Sequence, residues 1–402
     1  MRKRLLLALL VLILPLLFIG FNGASKVKRF LYNHSTNILD IPVSEADLSR
    51  LLKKAPPPWM QSRIEKDLAK YHVTPITRKK LDSVYHKYCH NKIARFQIRS
   101  QKLTYQTTCK EHVRFKSVKH GLKQLCQIYP KLNVDFIVSF EDDMKNVQEP
   151  IFVFAKNKHN HNLILFPDFT CYAKETTTYA WSYSLRPKII KASNSIPWSR
   201  KKELGFWRGG TTGMDLTDKN WESSNRCKVC TISRFHPKII DAKFTSFTQI
   251  PASKRKNFYS HYNISPFVTP EEHLQYKYLI SLDGNTCTYP GLQWRLQSNS
   301  LVFKPKSNEI QWYYEGLVPN YHYLALESDC SNLISKLNWA RQHDNLAHKI
   351  ARQSTQFANE NLNQLAIYHY LALLLREYER VQVTHDLAVD SDIDEYTPFC
   401  RY

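Results

Sequence analysis

The chain has 402 residues, of which 43% are hydrophobic and 13% aromatic, so it is too long for one ordinary domain and suits two domains of about 150–200 residues plus further segments. Ten glycines and 19 prolines exclude a collagen-like or wholly disordered chain. The formal net charge of +22 favours anionic partners, but no long basic tract and no repeat is present, so nucleic acid is not an expected partner.

The N-terminus resembles a membrane signal-anchor. Arg2, Lys3 and Arg4 precede a mostly apolar run over residues 5–21, and further basic residues follow it. Seventeen residues is the short end of a membrane span, whereas the apolar core of a cleaved signal peptide has about 7–15. The sequence therefore predicts a single-pass anchor over residues 1–24, with cleavage near 22–25 as the alternative.

The rest of the chain divides by pattern. Residues 25–62 predict a stem with a short helix at 45–54 and a stiff Ala-Pro-Pro-Pro break. Beyond it, apolar and β-branched runs predict strands at 132–140, 151–155, 163–166, 204–208, 278–282 and 300–303. Helical spacing appears at 270–276 and from residue 331 onward, ending in a long helix at 362–381.

Strands that alternate with helices indicate an α/β fold with parallel sheets. We expect one domain over residues 63–190 and a second over 191–355. A C-terminal helix over 356–382 should cross back to the first domain, and an acidic tail follows at 383–402. Two such domains place a ligand cleft at the carboxyl ends of their strands.

A glycine- and threonine-rich segment follows the strand at 204–208. Gly209, Gly210, Thr211 and Thr212 offer backbone N–H groups and hydroxyls, which are the donors that a diphosphate needs, although an ordinary turn is the alternative. Arg226, thirteen residues beyond Gly213, is a candidate fork-shaped cation for phosphate oxygens, or else a surface arginine.

Two more strands end in polar residues. Asp283-Gly284-Asn285 stops the strand at 278–282 and would face a cleft, unless it is a plain turn. Glu141-Asp142-Asp143 follows the strand at 132–140, where a carboxylate suits a general base. The same triplet is also compatible with a helix N-cap or turn, or with a divalent metal held by Glu141 and Asp143.

The nine cysteines are widely scattered, which fits either disulfides in an oxidising lumen or buried thiols, and their odd number leaves at least one unpaired within the chain. Cys227 and Cys230 form a single Cys-x-x-Cys pair. Because no second pair lies at zinc-finger spacing, no metal site is expected there.

Five segments occur in an order that resembles glycosyltransferase family 90, and the resemblance runs over about residues 136–381. They read FWRGGTTG, SRFHPKIIDAKFT, YKYLISLDGN, SNSLVFK and LVPNYHYLAL. This family contains fungal capsule-associated proteins, bacterial lipopolysaccharide-modifying enzymes and protein O-glucosyl- and xylosyltransferases. The resemblance implies a GT-B fold, in which two Rossmann-like domains face a cleft, the first on the acceptor side and the second binding the nucleotide-sugar.

The resemblance also implies a function. The family inverts the anomeric centre and uses UDP-sugars, so we expect UDP-glucose or UDP-xylose as the donor, with no metal and no further cofactor. The acceptor would be a glycan, glycolipid or protein hydroxyl. The Asp-Gly-Asn-Thr sequence resembles the lipopolysaccharide-modifying branch more closely. Localisation follows from the host: the Golgi or endoplasmic reticulum lumen in a eukaryote, the inner membrane in a bacterium.

The family's functional positions transfer to this chain as follows. The catalytic aspartate falls on Asp142, with Asp143 as the alternative one residue later. The implied donor site comprises Arg208, Gly209, Gly210, Thr211, Thr212, Arg226, Asp283, Gly284, Asn285 and Arg295. One departure stands out: where many members carry an arginine that faces the donor, this chain has Gly291, and Arg295, one helical turn later, is the candidate substitute.

Two other functions remain open from the sequence. The net charge and Gly291 are compatible with a non-catalytic, membrane-tethered protein that binds glycans or polyanions. Glu141 and Asp143 are compatible with a metal-dependent GT-A enzyme.

Overall fold

The computed structural model describes residues 43–172, 180–213, 221–250, 252–262 and 264–383. The predicted anchor, the first part of the stem and the acidic tail lie outside these residues, so they stay predictions from sequence. Across the described ranges, none of the helices combines the length and apolarity that crossing a bilayer requires.

The first sheet has five strands in the order β2-β1-β3-β4-β6. Their bounds are Ile93–Arg99 (β1), Lys102–Thr107 (β2), Val134–Ser139 (β3), Ile151–Val153 (β4) and Ile164–Leu165 (β6). Strands β3, β4 and β6 are parallel, as the sequence predicts, but β1 is antiparallel to both β2 and β3. The expectation of a wholly parallel sheet is wrong here because a two-residue turn, Ser100-Gln101, joins β1 to β2.

The second sheet is entirely parallel, in the order β12-β10-β9-β7-β8. Its strands are Lys202–Gly210 (β7), Ile240–Ser246 (β8), Tyr276–Ile280 (β9), Leu301–Pro305 (β10) and Leu324–Leu326 (β12). Alternate side chains enter different cores: Phe206 and Leu279 join the core of the first domain, whereas Trp207 and Tyr278 join a separate cluster. Burial on both faces is what a parallel sheet between helices requires.

Twelve α-helices of the described residues surround the sheets. They are Glu45–Leu52 (α1), Pro58–Val73 (α2), Arg78–Tyr88 (α3), Val113–Ile128 (α4), Arg186–Ser195 (α5), Asn225–Phe235 (α6), Ala252–His261 (α7), Pro270–His273 (α8), Gly291–Leu296 (α9), Leu333–Gln342 (α10), Asp344–Asn361 (α11) and Gln364–Arg380 (α12). Helix α12 leaves the second domain and packs on β3, α1 and α2 of the first. Its Tyr378 ring lies 4.8 Å from that of Phe152 in β4.

The described part of the predicted stem is not a stem. Helix α1 packs on α12, and α2 begins at Pro58 directly after the proline break. Leu48 in α1 is fully buried and Met60 in α2 is 1% exposed, so both belong to the core of the first domain. The prolines start a packed helix because proline suits its first turn.

The two domains also contact each other directly. Strand β5 (Lys156–Asn157) of the first domain pairs with β11 (Glu309–Ile310) of the second. Buried Asp168 accepts a hydrogen bond from Gln293 of α9 at 3.1 Å. These contacts bring the carboxyl end of β3 opposite the carboxyl ends of β7 and β9.

Candidate active site

Three loops meet where the strands of the two sheets end. They follow β3 (residues 141–143), β7 (residues 211–213) and β9 (residues 283–286), and they carry most of the side chains that the sequence singled out. Cleft-facing loops at the carboxyl ends of parallel strands are where α/β proteins bind their ligands. The structure therefore brings together segments that are about 140 residues apart in the chain.

Asp142 is held from both domains. Its Oδ1 accepts a 2.6 Å hydrogen bond from Nη2 of Arg114, at the start of α4, and its Oδ2 accepts a 2.8 Å bond from Nδ2 of Asn285. Its backbone oxygen accepts from the Thr286 hydroxyl at 3.1 Å. Burial alone would raise the pKa of Asp142, but the Arg114 charge and the Asn285 bond outweigh it, so the pKa lies below its usual value. Asp142 is therefore ionised at neutral pH.

The neighbouring carboxylates have different partners. Glu141 accepts hydrogen bonds from the backbone and the ammonium group of Lys92, and Asp143 pairs with Lys145 at 2.9 Å. Neither contacts Asn285 in the interactions that the structure describes. Of the two aspartates that the sequence left open, Asp142 is the one connected to the loop after β9.

Arg226 lies at the start of α6 and is 8% exposed. It donates to the Gly210 carbonyl at 2.7 Å, to the Thr212 hydroxyl at 2.6 Å and to the Asp283 carbonyl at 2.9 Å. These acceptors are all neutral, and burial lowers the pKa of Arg226 to about 10, so the guanidinium is charged at neutral pH. A buried cation met by neutral oxygens is a favourable partner for an anionic ligand.

The glycine-rich segment is fixed by close backbone contacts. Gly213 has a φ of +81°, and a Cβ at this position would lie 2.0 Å from the Gly284 carbonyl oxygen, so only glycine fits. Thr212 faces Arg226, whereas the hydroxyl of Thr211 is used in two bonds with the backbone of Thr248. The structure therefore assigns Thr211 to the support of the turn, away from a ligand.

Two cavities flank Arg226, which lines both. The first, of about 180 Å³, is walled by aromatic rings, by Gly209 and Gly210 and by two further arginines. Its aromatic and cationic residues are Trp207, Phe267, Tyr289, Trp294, Arg208, Arg226 and Arg295. The second, of about 210 Å³, is lined mostly by residues with polar side chains, among them Thr212, Ser224, Asp283, Asn285, Thr286, Lys306 and Glu309. A planar base with its phosphates suits the first cavity, and a hydroxyl-rich group suits the second.

The other two predicted arginines differ from Arg226. The charge of Arg208 is compensated by Asp241 at 2.6 Å. Arg295 stacks on the Trp294 ring at 4.2 Å and donates to the Gly291 carbonyl at 2.8 Å, in the first cavity. A Cβ at Gly291 would lie 2.7 Å from a side-chain atom of Thr288 and 3.1 Å from the Arg295 guanidinium. The space beside Gly291 is thus already taken by the side chain of Thr288 and by the guanidinium of Arg295.

Several residues of the site were not predicted. Arg114 lies 28 residues before Asp142, on a helix whose sequence shows only a basic surface pattern, and no local signal connects the two. The aromatic walls of the first cavity come from three separate segments, which contain Trp207, Phe267, and Tyr289 with Trp294. Thr286 could have been found, because it directly follows the Asp-Gly-Asn triplet.

His322, in the LVPNYHYLAL segment, and the Cys227–Cys230 pair are buried in packed surroundings. His322 accepts from the Val318 backbone at 2.9 Å and lies against Phe357. Cys227 and Cys230 are buried in α6 and form no disulfide, while Cys89 is disulfide-bonded.

Most of the chain is similar to known proteins. The sequence model of glycosyl transferase family 90 matches residues 53–398. The O-glucosyltransferase rumi of Drosophila pseudoobscura pseudoobscura is 26% identical over 353 residues, covering 83% of this chain and 80% of that protein. Human protein O-glucosyltransferase 1 is 24% identical over 296 residues and 71% of each chain.

A solved structure shows a weaker likeness. A glycosyltransferase from Rickettsia africae ESF-5 aligns over 57% of this chain and 64% of its own, with 10% identity and a TM-score of 0.34.

Proposed function

We propose a specific reaction for this chain, which belongs to glycosyl transferase family 90 and is a glycosyltransferase. In this reaction the protein transfers glucose from UDP-glucose to a protein hydroxyl, with inversion at the anomeric carbon. Glucose and a protein acceptor follow from what the relatives are named for. Xylose as the sugar, and glycan or glycolipid acceptors, are the alternatives. We propose the GT-B arrangement for the two sheets.

One observation carries the proposal: a carboxylate and a buried cation both form hydrogen bonds with the short loop of residues 283–286. Asp142 bonds Asn285 and Thr286, while Arg226 bonds the carbonyl of Asp283. The two groups that glycosyl transfer needs, a base for the acceptor and a cation for the leaving group, are therefore both connected to one loop of four residues.

Asp142 acts as the general base. Its carboxylate is ionised at neutral pH, and each oxygen accepts one described hydrogen bond from a side chain, which leaves acceptor capacity for a substrate hydroxyl. As the hydroxyl oxygen attacks the anomeric carbon, its proton passes to Asp142. The new carbon–oxygen bond forms while the bond to the UDP oxygen breaks, and a single displacement of this kind inverts the centre.

Arg226 and the glycine-rich turn stabilise the leaving group. The bond to UDP breaks with its electron pair on a phosphate oxygen, so negative charge grows on the diphosphate. Arg226 supplies a fixed positive charge in a buried site, where electrostatic stabilisation is stronger than in water. We place the diphosphate beside Arg226 and the uridine in the aromatic first cavity, with Arg295 as a second cation.

The test is transfer with defined stereochemistry. Purified full-length protein is incubated with each UDP-sugar and with a folded, hydroxyl-bearing protein acceptor, and released UDP, acceptor mass and anomeric configuration are measured. We expect turnover with UDP-glucose and a β-linked product from the α-linked donor. A product that retains the donor configuration would contradict the displacement by Asp142.

The non-catalytic alternative gives a different result in the same experiment. A protein that only binds glycans or polyanions would show no release of UDP with any donor, and its binding would weaken steeply with ionic strength. Full activity in excess chelator would exclude the metal-dependent alternative based on Glu141 and Asp143.

A further inference from the structure

The side chain of Asn285 connects the two halves of the site. Its Oδ1 accepts a 2.9 Å hydrogen bond from the backbone N–H of Gly213, in the glycine-rich turn of the second domain. Its Nδ2 donates at 2.8 Å to Oδ2 of Asp142, in the first domain. One amide group therefore lies between the donor-side turn and the acceptor-side carboxylate.

The orientation of this amide follows from its partners. A backbone N–H can only donate, so the atom of Asn285 that faces Gly213 must be the oxygen. The NH₂ group then faces Asp142, whose ionised carboxylate can only accept. Both contacts are satisfied in one orientation of the amide. The reverse orientation would place the NH₂ group against the N–H of Gly213 and the amide oxygen against the carboxylate of Asp142, so that donor would face donor and acceptor would face acceptor.

We propose, resting on the function above, that Asn285 is a positioning residue for the base: it orients the Asp142 carboxylate and ties that orientation to the position of the Gly213 turn. Sequence resemblance placed Asn285 among the donor-binding residues, but the contacts described here use its amide within the protein. It acts on the reaction through Asp142.

This arrangement limits how Asp142 can move. Arg114 fixes one carboxylate oxygen and Asn285 the other, so the plane of the carboxylate is set by one contact from each domain. Displacing a catalytic group by about 1 Å can cost about 100-fold in rate. The turn that contacts Asn285 also contains Thr212, which bonds Arg226, so Thr212, Gly213 and Asn285 connect the cation to the base.

Two substitutions separate the two contacts of Asn285. Asn285→Ala removes both hydrogen bonds. Asn285→Asp retains an acceptor for the Gly213 N–H but cannot donate to Asp142, and it places a second negative charge beside that carboxylate. Gln249→Asn is the matched control, because Gln249 also accepts from Gly213, at 3.4 Å, and Asn tolerates its φ of +63°.

For a positioning residue, we expect kcat to fall about 10- to 100-fold in Asn285→Ala and further in Asn285→Asp, while KM for the UDP-sugar changes less than about threefold. The acid limb of kcat/KM should move to higher pH in the same order, because the carboxylate loses a stabilising donor and then gains a like charge. Gln249→Asn should match the wild type.

Other outcomes overturn the proposal. Wild-type behaviour of Asn285→Asp together with a defective Asn285→Ala would mean that only the Gly213 contact matters. A parallel loss of UDP affinity in calorimetry, with an unmoved acid limb, would make Asn285 a donor-binding residue.

The proposed function and the positioning role of Asn285 can be refuted separately. The proposed function is refuted if the wild type turns over no UDP-sugar. In that case, urea unfolding of Asp142→Asn, Asn285→Ala and the double variant still measures the interaction energy between the two side chains. Additive changes in the free energy of unfolding would show that Asn285 does not interact with Asp142, and the proposal would fail.

Discussion

Replacing Arg226 tests the cation of the site. Arg226→Met keeps a long unbranched side chain and removes the charge, and Arg226→Lys keeps the charge but not the fork. Burial lowers the pKa of this guanidinium from 12.5 to about 10. At 1.36 kcal/mol per pKa unit, keeping the guanidinium charged in the buried site costs about 3 kcal/mol of electrostatic free energy. The negative charge of a bound diphosphate can offset that cost, so Arg226 should contribute up to about 3 kcal/mol to the binding free energy of UDP.

The expected loss follows from that magnitude. At about 1.4 kcal/mol per factor of ten, Arg226→Met should weaken UDP binding by about 100-fold, and Arg226→Lys should lie between it and the wild type. The assay is isothermal calorimetry with UDP at pH 7.5. Arg341→Met is the control, because Arg341 likewise donates to two backbone carbonyls but on the exposed surface, outside both cavities.

Stability must be measured alongside affinity. Arg226 satisfies the carbonyls of Gly210 and Asp283, so its loss should lower the free energy of unfolding by about 1–3 kcal/mol. If Arg226→Met is folded and binds UDP within about threefold of the wild type, the diphosphate does not lie beside this residue and the reasoning fails.

Three further predictions concern the scaffold. Gly213→Ala should lower the free energy of unfolding by about 1–3 kcal/mol in urea, and weaken UDP binding, because its Cβ would collide with the carbonyl of Gly284. Burial lowers the pKa of Lys201 to about 7, so between pH 7 and about 10.5 the unfolded chain binds more protons than the folded one. The free energy of unfolding should therefore rise with pH in that window, and Lys201→Met should flatten the rise. Deleting residues 1–57 removes fully buried Leu48 and should lower Tm by about 5 °C or more relative to deleting 1–42.

The parts of the fold that sequence predicts are those with a strong local pattern. The strands β3, β7, β9 and β10 are apolar runs that end in polar residues, and all four are found where expected. The hairpin β1–β2 was missed because its turn residues, Ser100 and Gln101, adopt positive φ without being glycine, asparagine or aspartate. Helix α8 ends at His273 instead of 276 because Tyr276 begins β9.

Local sequence patterns predict some residues of the candidate site but not the contacts between them. Residues that directly follow a strand, such as Asp142 and Asn285, can be proposed from order along the chain. Their pairing cannot, because it depends on how two sheets face each other across 143 residues of separation. Arg114 shows the limit most clearly: it sits among other basic residues of α4, and only the tertiary structure distinguishes the one that reaches the carboxylate.

The identity of the base is the last prediction, and it rests on the choice between two adjacent carboxylates. Asp142→Asn and Asp143→Asn keep the shape of the side chain and remove its charge. Loss of a general base costs about 10²–10⁴-fold in rate, and we expect this loss for Asp142 alone, because Asp143 pairs with Lys145 and has no described contact with Asn285. UDP affinity should be nearly unchanged in both variants.

The pH profile supplies an independent check on the same assignment. The pKa of Asp142 lies below its ordinary value of 3.8, so the base stays ionised and wild-type turnover should show no acid limb between pH 5 and 8. Arg114→Met removes the charge that most opposes the effect of burial, so the limb should move upward in pH. If instead Asp143→Asn abolishes turnover while Asp142→Asn does not, the base is one residue later, and the hydrogen bond from Arg114 serves structure alone.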